Sequence, residues 1–291
     1  YLYNYKCLLS GDDFMLDIIK DTLIDGIKLL PFLFIAFLII ELVEHKLSNK
    51  TQKIITKSNK YGPVLGSLFG AFPQCGFSVL ATNLYVTRII SLGTLIAIYL
   101  STSDEMLPVL LSHNVDINLI FKILIIKIFI GMFCGIIIDF IIRKKKKINN
   151  LDYHICNEEN CHCEKGVFVS TIIHTLKTFL FILVITFIMN IIFEYLGHNY
   201  LSKLLLKNSI FSPFITSLIG LIPNCGSSIL LTELYLKNAI DFASLISGLL
   251  VNSGIAIIIL FKSNKNMKEN INILILTYLI SVVSGIILYL L

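Results

Sequence analysis

Long apolar stretches alternate with short polar ones along the whole chain. The stretches 27–44, 89–111, 119–142, 168–193, 239–261 and 271–291 predict bilayer-crossing helices, because about 20 apolar residues cover the hydrocarbon layer. Two others, 62–86 and 212–236, are as long but carry breaks at their centres. The breaks read Phe72-Pro73-Gln74-Cys75-Gly76 and Ile222-Pro223-Asn224-Cys225-Gly226. Proline removes a backbone donor and glycine loosens the helix, so each stretch is expected to split there. Each arm is then about ten residues, roughly 15 Å of helix, which reaches only the bilayer midplane. A re-entrant hairpin fits that length better than a straight crossing.

The charges between the stretches favour the same choice. Residues 45–60 hold five Lys and no acid, and 143–147 read Arg-Lys-Lys-Lys-Lys, so both loops are expected on the cytoplasmic side. Residues 112–118 carry Asp116 alone among charged groups and are expected outside. A hairpin at 62–86 that enters and leaves on the cytoplasmic side satisfies all three loops. A single crossing would put one Lys-rich loop outside. The N-terminal segment, with Asp12, Asp13, Asp17, Asp21 and Asp25, does not read as a cleavable signal and is expected outside.

A shift of 150 residues aligns 67–96 with 217–246 with fourteen identities in thirty positions. They include Gly70/Gly220, Pro73/Pro223, Cys75/Cys225, Gly76/Gly226, Ser78/Ser228, Thr82/Thr232 and Tyr85/Tyr235. Upstream, Lys28 aligns with Lys177 after a one-residue slip, which sets Asp25 opposite His174. The chain therefore reads as a first membrane repeat over 1–147, a polar cytoplasmic linker over 148–166 and a second repeat over 167–291. The first copy starts outside and ends inside, so the second must be inverted. The expected fold is an all-α polytopic membrane protein of two inverted-topology repeats. Each repeat holds a broken or re-entrant helix pair, giving about eight to ten membrane segments.

Composition sharpens this reading. Of 291 residues, 56% are hydrophobic and 15% charged, and the mean hydropathy is +0.83. Those values exclude a soluble enzyme, a disordered chain and a nucleic-acid-binding module. The net charge of +5 sits in short loop runs that orient a membrane protein rather than grip phosphate. No Walker-A loop, kinase set or nucleotide fingerprint occurs, so an enzyme is not expected and no cofactor is implied. Inverted repeats with broken helices meeting near the midplane are the architecture of secondary transporters.

Candidate chemistry concentrates at the breaks. Cys75 and Cys225 would face one another from two inverted hairpins, and soft thiolates select thiophilic metals or trivalent metalloids. A lone cysteine is as readily a small packing residue, but here it is duplicated within a duplicated break. Gln74 and Asn224 precede the two thiols and can orient the site or bind an ion. Ser101-Thr102-Ser103-Asp104-Glu105 lies within 89–111. An intramembrane carboxylate costs at least about 2.5–3.5 kcal/mol, so such groups usually line a functional cavity. Asp104 or Glu105 would exchange a proton for the substrate, or ligate a hard ion such as Mn²⁺. Ser103 and Asn252 join this candidate ion-binding set, as does Glu233, the repeat mate of Asn83. Asp25 and His174 stand as a possible proton relay. The linker gathers His154, Cys156, Cys161, His162 and Cys163 among three Glu, a soft-metal set without zinc-finger spacing. Cys7 and Cys134 are expected to be inert.

The runs Phe72–Ser78, Ser101-Thr-Ser-Asp-Glu-Met-Leu-Pro108, Leu221–Gly226 and Leu249-Leu-Val-Asn-Ser-Gly254 resemble the ten-span heavy-metal exporters. That family is often labelled arsenic efflux proteins, with relatives labelled manganese transporters. The resemblance extends from about residue 15 to the end and includes the Cys/His/Glu linker. The resemblance implies an exporter more than any one ion; together with the cysteines and carboxylates above, the expectation is proton-coupled export of a thiophilic metal or metalloid across the inner (cytoplasmic) membrane, with the ion and the lipid bilayer as partners. Two other readings stay open. One is a Mn²⁺ exporter with carboxylate ligands; the other is a membrane-bound metal sensor or chaperone working through the linker.

Overall fold

The computed structural model describes residues 61–72, 75–103, 106–113, 115–145, 209–224 and 226–291, with isolated helical positions within 19–38 and 168–188. The side chains of Cys75 and of residues 143–145 lie outside the described set, as do Gln74, Asp104, Glu105, Cys225, Asp25, His174 and the whole linker. Ten helices have described bounds. In the first copy they are α1 Gly62–Gly70, α2 Cys75–Val86, α3 Leu92–Ser101, α4 Met106–Ser112 and α5 Ile117–Lys145. The second copy supplies α6 Ser212–Gly220, α7 Gly226–Leu236, α8 Phe242–Val251, α9 Ala256–Ser263 and α10 Met267–Leu290. The chain is an all-α membrane protein. Among the described residues, Leu92–Ser112, Ile117–Ile142, Phe242–Ser263 and Met267–Leu290 are long and apolar enough to cross a bilayer.

The bounds of α1 and α3 recur 150 residues later in α6 and α8. Even the left-handed residue after the second arm recurs, as Arg88 (φ 57°) and Asn238 (φ 56°). The helices start where the sequence offers caps. Pro63 and Pro213 stand in the first turns of α1 and α6, where a missing N–H costs nothing. Ser91 caps α3 through a bond from Thr94 N, and Asp241 caps α8 through one from Ser244 N. Asp139 on α5 adds a carboxylate to the first of these ends. It accepts Gly93 N at 2.9 Å and Ser91 Oγ at 2.6 Å, which suits the positive end of a helix.

The split at Pro73 is present: α1 stops at Gly70 and α2 resumes at Cys75. Gly62 lies against Thr94, and Gly70 against Ile98 and Ser101, so α1 runs in the direction of α3. Thr82 Oγ1 lies 2.6 Å from Tyr99 OH, and only residues 87–91 join α2 to α3, so α2 returns the opposite way. The outer ends of both arms therefore sit beside the start of α3.

The uninterrupted helices expected over 89–111 and 239–261 are each broken. α3 ends at Ser101 and α4 begins at Met106; α8 ends at Val251 and α9 begins at Ala256. Polar side chains bond the local backbone at both interruptions. Ser101 Oγ bonds the carbonyls of Ala97 and Ile98, Thr102 Oγ1 bonds Ile98 O, and the Asn252 amide oxygen accepts Gly254 N at 3.0 Å. Gly254 takes φ 56°, a conformation that a side chain would oppose.

Residues 93–101 of α3 and 243–251 of α8 are buried throughout, so these helices form the centre. By contrast, α5 exposes Phe121, Ile125, Phe129, Phe133 and Phe140, and α10 exposes Ile271, Ile275, Leu279, Val283 and Ile287. Spaced mostly four apart, these side chains form stripes that suit lipid contact. The α3–α5 contact uses small residues. A Cβ on Gly135 would stand 2.6 Å from Gly93 O and 2.9 Å from Ala97 Cβ, closer than any real methyl tolerates. Gly135→Val is therefore expected to separate these helices and cost about 1–3 kcal/mol, read as a lower thermal midpoint in detergent.

Candidate ion-binding site at the paired helix breaks

The two copies meet at their breaks. Ser78, in the first turn of α2, has its Oγ 3.4 Å from Ser253 O in the α8–α9 break. Its repeat mate Ser228, near the start of α7, lines a small cavity with Thr102, Ser103, Met106, Leu249 and Asn252. Thus the second arm of each hairpin reaches toward the break of the other copy: Ser78 bonds Ser253 O, and Ser228 shares the cavity with Ser103. Ser78 and Ser228 lie three residues, about one helical turn, after Cys75 and Cys225.

The site is buried and polar. Ser103 is 1% exposed and donates to Ser101 O at 3.2 Å, while Asn252 is 3% exposed. Among the described residues, six buried side-chain atoms find no hydrogen-bond partner, and two of them, Asn252 Nδ2 and Ser253 Oγ, lie in the α8–α9 break. Buried donors of this kind are costly to leave alone and usually mark a functional place. Asn224 is buried and shapes the second turn: its Oδ1 accepts Gly226 N at 3.0 Å, and its carbonyl accepts Ser227 Oγ at 2.8 Å.

Of the expected ion-binding set, Ser103 and Asn252 line the cavity. Glu233 does not: its carboxylate pairs with exposed Lys237 at 3.1 Å, one turn along α7. That short-range pair holds it at the far end of the helix from the break. Cys75 opens α2. The side chain of Cys75, together with Gln74, Cys225, Asp104, Glu105, the Asp25/His174 pair and the linker ligands His154, Cys156, Cys161, His162 and Cys163, lies outside the described residues.

The cavity also contains a residue that sequence reasoning missed. Lys127, 1% exposed, enters from α5, and its ammonium donates to Leu249 O at 2.9 Å and to Thr102 O. The signal was present as the deeper of two lysines, Lys122 and Lys127, in an otherwise apolar stretch of α5, about ten residues or roughly 15 Å from its start. Averaged hydropathy hides one such residue, although an intramembrane charge is by itself a functional pointer.

The copies are joined a second time, away from the breaks. Arg88, in the turn after α2, forms a two-pronged ion pair with Glu269 at the start of α10, with Nη2 to Oε2 at 2.8 Å. Tyr85 OH donates to the same carboxylate. A fork of this kind is directional as well as charged, and it fixes the end of the first hairpin to the second copy.

No curated protein and no solved structure matches the chain. The family described as "putative, 10TM heavy-metal exporter" matches residues 13–195 and 181–291. With helices broken at the centre, a polar site between two copies and that match over most of its length, the chain belongs to the ten-span heavy-metal exporter family.

Proposed function

We propose that this protein is a secondary-active exporter in which Cys75 and Cys225 bind a thiophilic metal or trivalent metalloid near the membrane midplane. The observation that carries the reading is that Ser78 bonds the second copy's break and Ser228 shares a cavity with the first copy's break. It supports a single site shared by two repeats, with a cysteine one helical turn from each serine. A thioether in the cavity wall, from buried Met106, suits the same soft chemistry.

In this mechanism the repeats are inverted and rock around the fixed site. Residues 50 and 145 lie in the cytoplasm and residue 115 outside, in the inner membrane. Asp104 or Glu105 takes up the proton that enters as the substrate leaves, Asp25 and His174 pass protons toward it, and Gln74 and Asn224 orient the site. The Arg88–Glu269 pair then lies on the cytoplasmic side and must open for the substrate to enter. The linker collects metal through Cys156, Cys161, Cys163, His162 and His154 without being needed for the crossing itself.

The test is a metal panel on cells that lack or overproduce the protein. Resistance to arsenite, antimonite or a thiophilic divalent metal, with lower cell content of that ion, is the expected result. Resistance confined to Mn²⁺ would assign the work to the carboxylates instead. Binding without any change in cell content would favour a sensor or chaperone.

A further inference from the structure

Each broken helix ends with carbonyls that no helical N–H can reach. Leu249 lies in the last turn of α8, and Thr102 directly follows α3. The carboxyl ends of broken helices carry partial negative charge and commonly collect a cation in membrane transporters. Here both carbonyls point at one ammonium, that of Lys127. Ser103 on the same wall adds a hydroxyl oxygen, while the Asn252 amide oxygen is held by Gly254 N.

The repeat shows that this cation is an addition rather than a framework requirement. The residue 150 positions on from Lys127 is Thr277. It lies on α10 and bonds only carbonyls of its own helix, Ile273 O at 3.0 Å and Leu274 O at 2.9 Å. A helix in this place packs without a lysine, whereas Lys127 reaches out of its own helix to both copies.

We propose that Lys127 is a tethered cation filling a small monovalent-ion site formed by the carboxyl ends of α3 and α8. The ammonium stands in for an ion such as Na⁺ that would otherwise neutralise those carbonyls. The wild-type protein consequently needs no Na⁺ at this position, and shortening the side chain opens the site. This holds whichever ion the protein exports.

Purified full-length protein in detergent is heated in NaCl, LiCl, KCl or choline chloride at matched ionic strength, and the folded fraction is read by size exclusion. Wild type is expected to show no ion-specific shift. Lys127→Ala, and Lys127→Thr, which copies the second repeat, should gain a saturable rise of roughly 5 °C with Na⁺ or Li⁺. Lys127→Met fills the space without charge and should show none. Folded Ala and Thr variants indifferent to the ions would overturn the proposal, as would a response from Lys127→Met matching theirs. If neither shortened variant folds, the wild type decides: a saturable Na⁺-specific shift overturns the proposal and its absence supports it.

Discussion

Replacing Cys75 or Cys225 with Ser is expected to abolish resistance to arsenite or a thiophilic metal. Serine keeps the size and polarity of the side chain but supplies no thiolate, so packing changes little while soft-ion affinity collapses. Disturbing only the support of a metal ligand costs roughly 10–100-fold in affinity; losing the ligand itself should cost about 100-fold or more. The two changes should also behave as one. A ligand left alone on a shared ion has little to hold, so the double variant should be scarcely worse than either single one. Protein level and elution profile, measured alongside, separate lost binding from lost folding.

The second large effect is expected at Asp104 and Glu105. If one of them carries the coupling proton, Asp104→Asn or Glu105→Gln should leave substrate binding in place and remove its dependence on the proton gradient. Transport driven by an imposed pH difference should fall to the background of membranes lacking the protein, while exchange of bound for free substrate continues. Under a Mn²⁺ mechanism the same substitutions should abolish binding as well, and the cysteine substitutions should be mild. Equilibrium binding measured beside transport therefore tells a coupling carboxylate from a ligand.

The parts of the fold legible in the sequence are those written in backbone chemistry. Pro73 and Pro223, each followed by an amide residue and then Cys-Gly, announce the split of the hairpins, and the described helices stop and restart around them. The breaks after Ser101 and Val251 were harder to read. Their flanks are apolar enough to count as a crossing, and no proline lies at residues 102–105 or 252–255. At these breaks hydroxyl and amide groups bond nearby backbone, and Gly254 takes a left-handed turn. Serine and asparagine in an apolar run leave that choice open.

The site divides in the same way. Ser103 and Asn252 were visible as polar groups in apolar stretches, the first paired with Ser253 and the second with Thr102 by the repeat, and both line the cavity. That Ser78 and Ser228 would each cross to the opposite copy was not visible, because identity between repeats shows that they are alike and not how they touch. Lys127 escaped for a third reason: the repeat marks what is shared, and Thr277 occupies its place in the second copy. Glu233 aligns with buried Asn83 and pairs with Lys237 about one turn away.

The central claim is that two cysteines, one from each copy, carry the substrate through the membrane. Uptake of labelled arsenite into inverted membrane vesicles tests it most directly, comparing wild type with the Cys75→Ser/Cys225→Ser protein at equal amounts. Gradient-driven accumulation by wild type and none by the double variant is the result predicted. Near-normal accumulation by the double variant would contradict the thiolate mechanism.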